Sequence, residues 1–293
     1  MGLTMNNKIK RIVLNTFARV DQLIQRCRKL IYLNSKKIPW STGYNEYKYD
    51  FFEQFIDSKE LTVFKEGPLS PKYGYRMDER FVEYPWFFSR LKDSETIILD
   101  AGSVLNFKQI LRANKLKNRK IYISTLFDEG RPEIQPSPSY VYEDLRDMCF
   151  KDDFFDAICS LSTVEHIGCD NTMIYTPDAS KREDDKYTHL SAIKEFRRVL
   201  KKNGTLYLSM PFGKYKNHGW FQVFDAGMVT GIIEAFQPSQ VIKTFFKYEN
   251  DQWNFSAENN CLDGYCFDIH KSDTYEADYL AFSRCIICLE MTK

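Results

Sequence analysis

Apolar residues recur along this chain with two different periods, and the change of period marks its architecture. In "IKRIVLNTFARVDQLIQRCRKLIYL" the residues Val13, Phe17, Val20, Ile24, Cys27 and Ile31 return at three- and four-residue steps with basic residues beside them, the pattern of an amphipathic helix. Residues 39–94 are rich in aromatics and poor in regular period, with turn signals at "PWSTGY" and "EGPLSPKYGYR". They read as a cap that leads into a helix at "MDERFVEYPWFFSRL", through Phe81, Tyr84, Phe87, Phe88 and Leu91. From residue 95 onward strand and helix patterns alternate, as in a sheet with helices on its faces. The predicted strands are "TIILDA", "KIYIST", "SYVYEDL", "FDAICSLS", "TLYLSMPFG", "VIKTFFKY" and "YLAFSRCIICLEM". The predicted helices are "FKQILRANKL", "HLSAIKEFRRVLKKNG", which places Leu190, Ile193, Phe196 and Leu200 on one face and Gly204 at its stop, and "DAGMVTGIIEAF". Three segments follow: a basic helix over 1–38, an aromatic-rich cap over 39–94 and an α/β domain over 95–293.

Composition changes this picture in three places. The chain has 293 residues, 43% of them hydrophobic, enough for a sizeable core. Its net charge of +1 argues against a nucleic-acid partner, but residues 1–38 hold nine Lys or Arg against Asp21 alone, which leaves the rest of the chain at about −7. The basic helix therefore suits either another protein surface, including a second subunit, or an anionic membrane face. Eight cysteines without a framework-like spacing read as reduced thiols. No apolar run approaches a membrane span, and "RIVLNTFARV" is interrupted too soon for a signal-peptide core. A cytoplasmic location is expected, with peripheral contact to the inner face of the membrane if the helix meets lipid.

The stretch "ETIILDAGSVLNFKQIL" runs from an apolar strand into Asp100, Gly102 and a helical pattern, which is how a strand delivers its chain to a nucleotide. "IILDAG", "YVYEDLRDMCFKDDFFDAICSLSTVEHI" and "EFRRVLKKNGTLYLSMPFG", in that order, resemble the Rossmann-like S-adenosylmethionine-dependent methyltransferases over residues 95–250. The resemblance implies a seven-stranded, mostly parallel α/β sheet of methyltransferase type with an N-terminal helical extension. "DERFVEYPWFFSRL", "LDAGSVLNF", "STVEHIGCDN" and "HGWFQVFDAGM" are similar to a branch of that family associated with bacterial surface-polysaccharide synthesis. That likeness implies a glycan or lipid-linked sugar as substrate and S-adenosylmethionine as cofactor.

Carried onto this chain, the resemblance assigns cofactor binding to Asp100, Gly102 and Ser103, to Asp128 or Glu129 at the ribose, and to Asp144 with Leu145 at the adenine. The family's turn reads DxGxGxG, whereas here Val104 and Asn106 replace two glycines, so either the loop takes another path or the cofactor sits differently, and a purely structural turn is the alternative. The cluster "SLSTVEHIGCDN" follows strand four, at the carboxyl edge where open sheets bind ligands. A hydroxyl acceptor needs a base, for which His166 and His218 are candidates, with Glu165 to orient His166 or to serve instead. His166 reads equally as a capping or core histidine. Asp170 and Asn171, with Trp220 and Gln222 of "YKNHGWFQVFD", suit a sugar pocket, because aromatic faces stack on sugar rings while polar groups fix orientation. Trp220 reads equally as core. No metal is expected: Cys285 and Cys288, three apart in a strand, point to opposite faces, and Cys261 with Cys266 alone do not complete a zinc site. Two rival readings remain, a binding or scaffold module that kept the fold, and a transferase using a nucleotide-sugar.

Overall fold

The computed structural model describes residues 7–132, 134–268, 271–272 and 274–293, with the side chains of 7–15, 17, 18 and 66 outside that description. Chain contacts divide it into two units, residues 1–51 and 52–293. In the first, helix α1 (Asn7–Leu33) is followed by α2 (Tyr44–Phe55), whose last turn enters the second unit. Gly43 turns the chain between them at φ +89°, where a Cβ would stand 1.9 Å from the Arg28 carbonyl oxygen. Arg28 pairs with Glu46 at 3.1 Å, Lys29 pairs with Asp50, and the buried Tyr32 ring meets Tyr44 edge-on at 5.7 Å. The predicted amphipathic helix is present, and its stripe through Val20, Leu23, Ile24, Cys27, Leu30 and Ile31 is exposed. Val13 and Phe17 of that stripe lie outside the described side chains.

The second unit continues with α3 (Val63–Glu66), α4 (Arg80–Arg90), β1 (Ile97–Ala101), α5 (Lys108–Leu111), β2 (Lys120–Thr125), β3 (Ser139–Tyr142) and β4 (Phe155–Leu161). After these come α6 (Thr172–Tyr175), α7 (His189–Val199), β5 (Leu200–Pro211), β6 (Lys216–Asn217), β7 (Gln222–Val223), α8 (Ala226–Phe236), β8 (Gln240–Glu249), β9 (Gln252–Ser256) and β10 (Cys285–Thr292). The main sheet has the order β3-β2-β1-β4-β5-β10-β8-β9, and β6 pairs with β7 alone. β1 to β5 are mutually parallel, while β10 lies antiparallel between β5 and β8. The first seven strands of this order are the expected methyltransferase-type sheet.

Parallel strands are buried on both faces, which is why β1, β4 and β5 read as apolar runs. Along β5, Leu206, Leu208 and Met210 join the cluster that α7 covers with Ala192, Ile193 and Phe196 and α8 covers with Val229, Ile232 and Phe236. The alternate residues Tyr207 and Ser209 face α4, where Trp86 and Phe87 meet the Tyr207 ring at 6.0 and 5.3 Å. Pro85 inside α4 cannot donate to the Phe81 carbonyl one turn earlier. The Tyr73 hydroxyl donates to that carbonyl instead, at 2.7 Å.

Three elements differ from the sequence reading. The sheet has an eighth strand, β9, joined to β8 by a two-residue hairpin in which Asn250 and Asp251 both have positive φ, the requirement of the tight turn that suits strand twist. The helix expected over "FKQILRANKL" is only α5 and a short 3₁₀ turn, because Ala113 is extended and the Asp57 carboxylate accepts from the Asn114 amide at 2.9 Å. Helix α7 stops at Val199 rather than near Gly204: Leu200 already pairs with Phe155, Lys201 reaches Asp156 at 2.7 Å, and Asn203 makes the turn at φ 63°.

Leu208 pairs with Ser160 and Leu289 and is fully buried in the α7–α8 cluster. Leu208→Ala is expected to destabilise the protein by about 2–5 kcal/mol through lost burial and a residual cavity. A lower urea midpoint with an unchanged slope would be the result in equilibrium unfolding.

Candidate functional site

Strand β1 ends in Asp100, and the turn beyond it is built by that side chain. One carboxylate oxygen accepts from the Val104 amide at 3.0 Å and the other from the Leu105 amide at 2.8 Å. Only Gly102 (φ 113°) and Ser103 (φ 61°) in this loop have positive φ, so Val104 carries no backbone strain, and the two missing glycines are not needed on this path. Burial pushes the Asp100 carboxyl up to about 7 although both amides pull it down. The Gly102 amide donates to the Ser124 carbonyl at the end of β2 at 2.9 Å. A Cβ on Gly102 would stand 2.3 Å from the Thr163 side chain, so the turns after β1 and β4 touch. Asn106 ties in the remaining loops: its amide donates to the Gly130 carbonyl and its oxygen accepts from the Tyr140 hydroxyl, both at 3.0 Å.

Beyond β2 the two neighbouring acids part company. Asp128 is exposed and accepts from the Gly130 amide, closing a local turn. Glu129 folds back to accept from Thr125 Oγ1 at 3.1 Å, the Ser103 hydroxyl also lowers its pKa, and burial raises it overall. The carboxylate that stands against the Gly102–Ser103 turn is therefore that of Glu129. Beyond β3, Asp144 is gripped by Arg146, whose Nη2 donates to it at 2.6 Å and to Glu183 at 2.7 Å. Burial raises the Asp144 pKa, but Arg146 outweighs it and holds the carboxyl below its usual range. Leu145 beside it is buried.

Past β4 the chain makes a 3₁₀ turn over Val164–His166. The His166 Nδ1 lies 2.9 Å from the Trp220 carbonyl oxygen, which only accepts, so Nδ1 carries the proton and Nε2 carries the lone pair. Burial lowers the His166 pKa to about 4, which keeps the ring neutral at pH 7. His218 stacks on Phe221 at 4.3 Å, with Nδ1 3.5 Å from Asp268. Burial and Lys216 lower its pKa, and Asp268 works in the opposite direction. Lys271 lies 3.5 Å from Asp268 and donates to the His218 carbonyl. Trp220 stands between the two histidines, its ring 5.2 Å from His166 and 4.8 Å from Phe221.

A cleft of about 520 Å³ opens here, lined among others by Asp170, Met173, Arg182, His218, Trp220 and Asp268. Asp170 accepts from Thr172 and faces Arg182 at 3.2 Å. The Asn171 amide donates to the His166 and Cys169 carbonyls and holds the loop, while its Oδ1 is buried with no hydrogen-bond partner among the described residues. Gln222 is buried, and its amide donates to the Lys186 carbonyl at 3.2 Å, while Asp225 caps α8 through the Met228 amide. Both of these act on the scaffold.

The sequence reading missed two groups. One is Asp268 with Lys271, which no periodicity marks. The other lies at the start of α4, in the quoted "DERFVE". Glu83 is fully buried and accepts from Ser162 Oγ at 2.5 Å, Ser209 Oγ at 2.6 Å and Arg80 at 2.7 Å. Arg80 also donates to the Leu161 carbonyl at the end of β4. Asp78, Glu79 and Glu165 are buried around this pair, and the Oε2 atoms of Glu79 and Glu165 have no hydrogen-bond partner among the described residues. Burial, then the neighbouring Asp78 and Glu83, push Glu79 up to about 8, and burial raises Glu165 well above its usual value. Glu165 thus sits where burial disfavours its charged form.

With this geometry in place, comparison with known proteins is informative in one segment. Residues 123–208, from the end of β2 to the middle of β5, match the family described as a methyltransferase domain. Among solved structures the chain is similar to an S-adenosylmethionine-dependent methyltransferase from Archaeoglobus fulgidus, at 12% identity over 84% of this chain and 99% of that one, with a TM-score of 0.44. It is also similar to the YcgJ protein from Bacillus subtilis, at 14% identity over 68% and 92% with a TM-score of 0.38. A third is the Burkholderia thailandensis 1,6-didemethyltoxoflavin-N1-methyltransferase with bound S-adenosylhomocysteine, at 12% identity over 67% and 71% with a TM-score of 0.37. No curated protein matches the chain.

Glu79 gives the site a measurable pH signature. Its carboxyl titrates at about 8 in the folded protein against an ordinary 4.5, so its stabilising contribution is complete below about 4.5 and is lost as pH rises through about 8. Glu79→Gln removes this loss. Between pH 5 and pH 8 its unfolding free energy should rise relative to the parent, by at most about 1.4 kcal/mol per pH unit. Parallel urea titrations at the two pH values read the difference, and a gap that does not change with pH would overturn the assignment.

Proposed function

We propose that this S-adenosylmethionine-dependent methyltransferase domain transfers its methyl group to an oxygen of a sugar, in a bacterial surface glycan or its lipid-linked precursor. The observation that carries the reading is the neutral His166, its Nδ1 fixed by the Trp220 carbonyl and its ring beside the Trp220 face at the carboxyl edge of the sheet. An aromatic face next to an oriented base suits a sugar hydroxyl.

The residues of the edge fit the cofactor. The Glu129 carboxylate can accept from both ribose hydroxyls, the backbone at Gly102 and Ser103 can approach the amino-acid portion closely, and Asp144 retains acceptor capacity for the adenine amino group beside its pairing with Arg146. Bound there, S-adenosylmethionine supplies a methyl group activated by the sulfonium. With the cofactor bound, His166 Nε2 would take the proton of the acceptor hydroxyl whose oxygen receives the methyl group. Trp220 holds the sugar face, and the His218–Asp268 pair presents polar atoms from the other wall of the cleft. Much of the rate comes from this alignment, since the sulfonium is already a good leaving group.

Calorimetric titration with S-adenosylmethionine and S-adenosylhomocysteine tests the cofactor half of this reading. Glu129→Ala is expected to weaken both by about tenfold or more, in line with the loss of charge-assisted hydrogen bonds. In assays that follow S-adenosylhomocysteine release with glycan acceptors, His166→Ala should lower kcat by about 10²–10⁴-fold. Absence of binding by folded protein would favour the scaffold or nucleotide-sugar reading.

The exposed stripe of α1, flanked by the exposed Arg19 and Arg26, supports a place against an anionic membrane face, where a lipid-linked acceptor would be met. Co-sedimentation with phosphatidylglycerol vesicles should fall about tenfold or more in the double substitution Leu23→Asp, Leu30→Asp, because two buried side chains leave the lipid boundary. Unchanged sedimentation would point to a protein surface instead.

A further inference from the structure

A second site lies at the opposite end of the sheet. The parallel pair β2 and β3 requires a crossover of a dozen or more residues, usually a helix. Here the described residues of 126–138 form no helix, and the segment contains Pro132, Pro136 and Pro138. It leaves a groove of about 1040 Å³ between itself and residues 111–121, at the strand ends remote from the methyl-transfer edge. The run "KQILRANKLKNRK" that forms one wall has six basic residues and no acid.

Five cations line this groove, Arg112, Lys117, Arg119, Lys120 and Arg131, with no Asp or Glu among its described lining residues. Arg119 belongs to the frame, since it donates to the carbonyls of Lys92, Glu95 and Lys115. The other four are exposed. Arg112 comes no closer than 4.0 Å to Glu53, and Lys117 is held by the Asn114 side chain. Lys120 lies 5.0 Å from the Tyr122 ring centre. Arg131 is propped over Tyr140 at 4.7 Å and donates to the Tyr142 hydroxyl at 2.9 Å. Lys117 and Lys120 are steadied by neutral groups, Arg112 keeps a 4.0 Å pairing with Glu53, and Asp128 acts on Arg131, so that among the described lining residues cations stand without an acid.

We propose that this groove binds a multiply charged phosphate group, with the guanidinium forks of Arg112 and Arg131 and the ammonium groups of Lys117 and Lys120 as its receptors. Planar forks match phosphate oxygens two at a time, and ammonium groups add point charges around them. Four exposed cations suit two or more linked phosphates better than a single carboxylate. Lys120, at the start of β2, lies about 17 Å from the methyl-transfer edge at ~3.3 Å per residue, while Arg131, held by Tyr142, reaches toward that edge.

The test is calorimetric titration of the full chain with inorganic tripolyphosphate at low and moderate salt. The expected result is saturable binding that weakens as salt rises. It should weaken at least tenfold in the combined variant Arg112→Ala, Lys117→Ala, Lys120→Ala, Arg131→Ala, whose thermal midpoint should stay near that of the parent. The control Arg19→Ala, Arg26→Ala removes positive charge elsewhere and should leave binding unchanged. Phosphatidylglycerol and phosphatidylcholine vesicles form a second arm, run in the Leu23→Asp, Leu30→Asp background so that α1 does not carry the binding: residual anionic-vesicle binding that is lost in the combined variant and competed by tripolyphosphate would identify a lipid headgroup as the phosphate source. Binding of tripolyphosphate alone would identify a soluble one. No saturable binding at millimolar tripolyphosphate, or equal binding by the folded combined variant, overturns the proposal.

Discussion

The carboxylate of Asp100 is the constraint on which the site depends. It ends β1 fully buried and uses both oxygens to hold the amides of Val104 and Leu105. A glycine-rich turn reaches a ligand through backbone freedom, whereas this turn reaches its shape through a side chain that fixes the backbone from inside. Positive φ is confined to Gly102 and Ser103, which frees position 104 for a β-branched residue and position 106 for an asparagine that ties three loops together. The same tie restricts Gly102, since Thr163 fills the space a side chain would take.

A second layer comes from α4, on the sheet face opposite α7 and α8. Glu83 reaches through to the ends of β4 and β5, where Ser162 and Ser209 donate to it, and Arg80 bridges Glu83 to the Leu161 carbonyl. Removing one partner from such a buried pair costs about 3–5 kcal/mol, because the other charge is left uncompensated. Burial raises the pKa of the remaining acids around it, Glu79 to about 8 and Glu165 well above its usual value, which favours their uncharged forms. Among the described residues Arg80 therefore serves a buried group of carboxyls beside the ends of β4 and β5.

Much of the fold was legible because burial on two faces leaves an unmistakable trace: the runs in β1, β4 and β5, and the stripe of α7. What the sequence hid was decided by single contacts. Asn250 and Asp251 form a hairpin that adds β9, but two polar residues between short runs gave too little signal. Asp57, far away in sequence, cuts the helix expected after β1 by capping Asn114. The choice of Glu129 over Asp128 depends on which side chain folds back to Thr125, and periodicity does not report this. Asp268 comes to His218 only because β10 returns through the sheet, so a local motif could not reveal it.

The matched methyltransferase segment begins after Gly102 and ends before His218, Trp220 and Asp268. The family likeness therefore covers the frame and leaves out both the turn that would take the cofactor and much of the cleft that would choose the acceptor. Function has to be argued from those residues, since one sheet serves many chemistries. A cationic acceptor would gain little from a cleft whose Asp170 and Asp268 already face Arg182 and Lys271. An uncharged hydroxyl brings no such cost. It needs a lone pair to receive its proton and a surface to hold its ring, and His166 beside Trp220 offers both in one place.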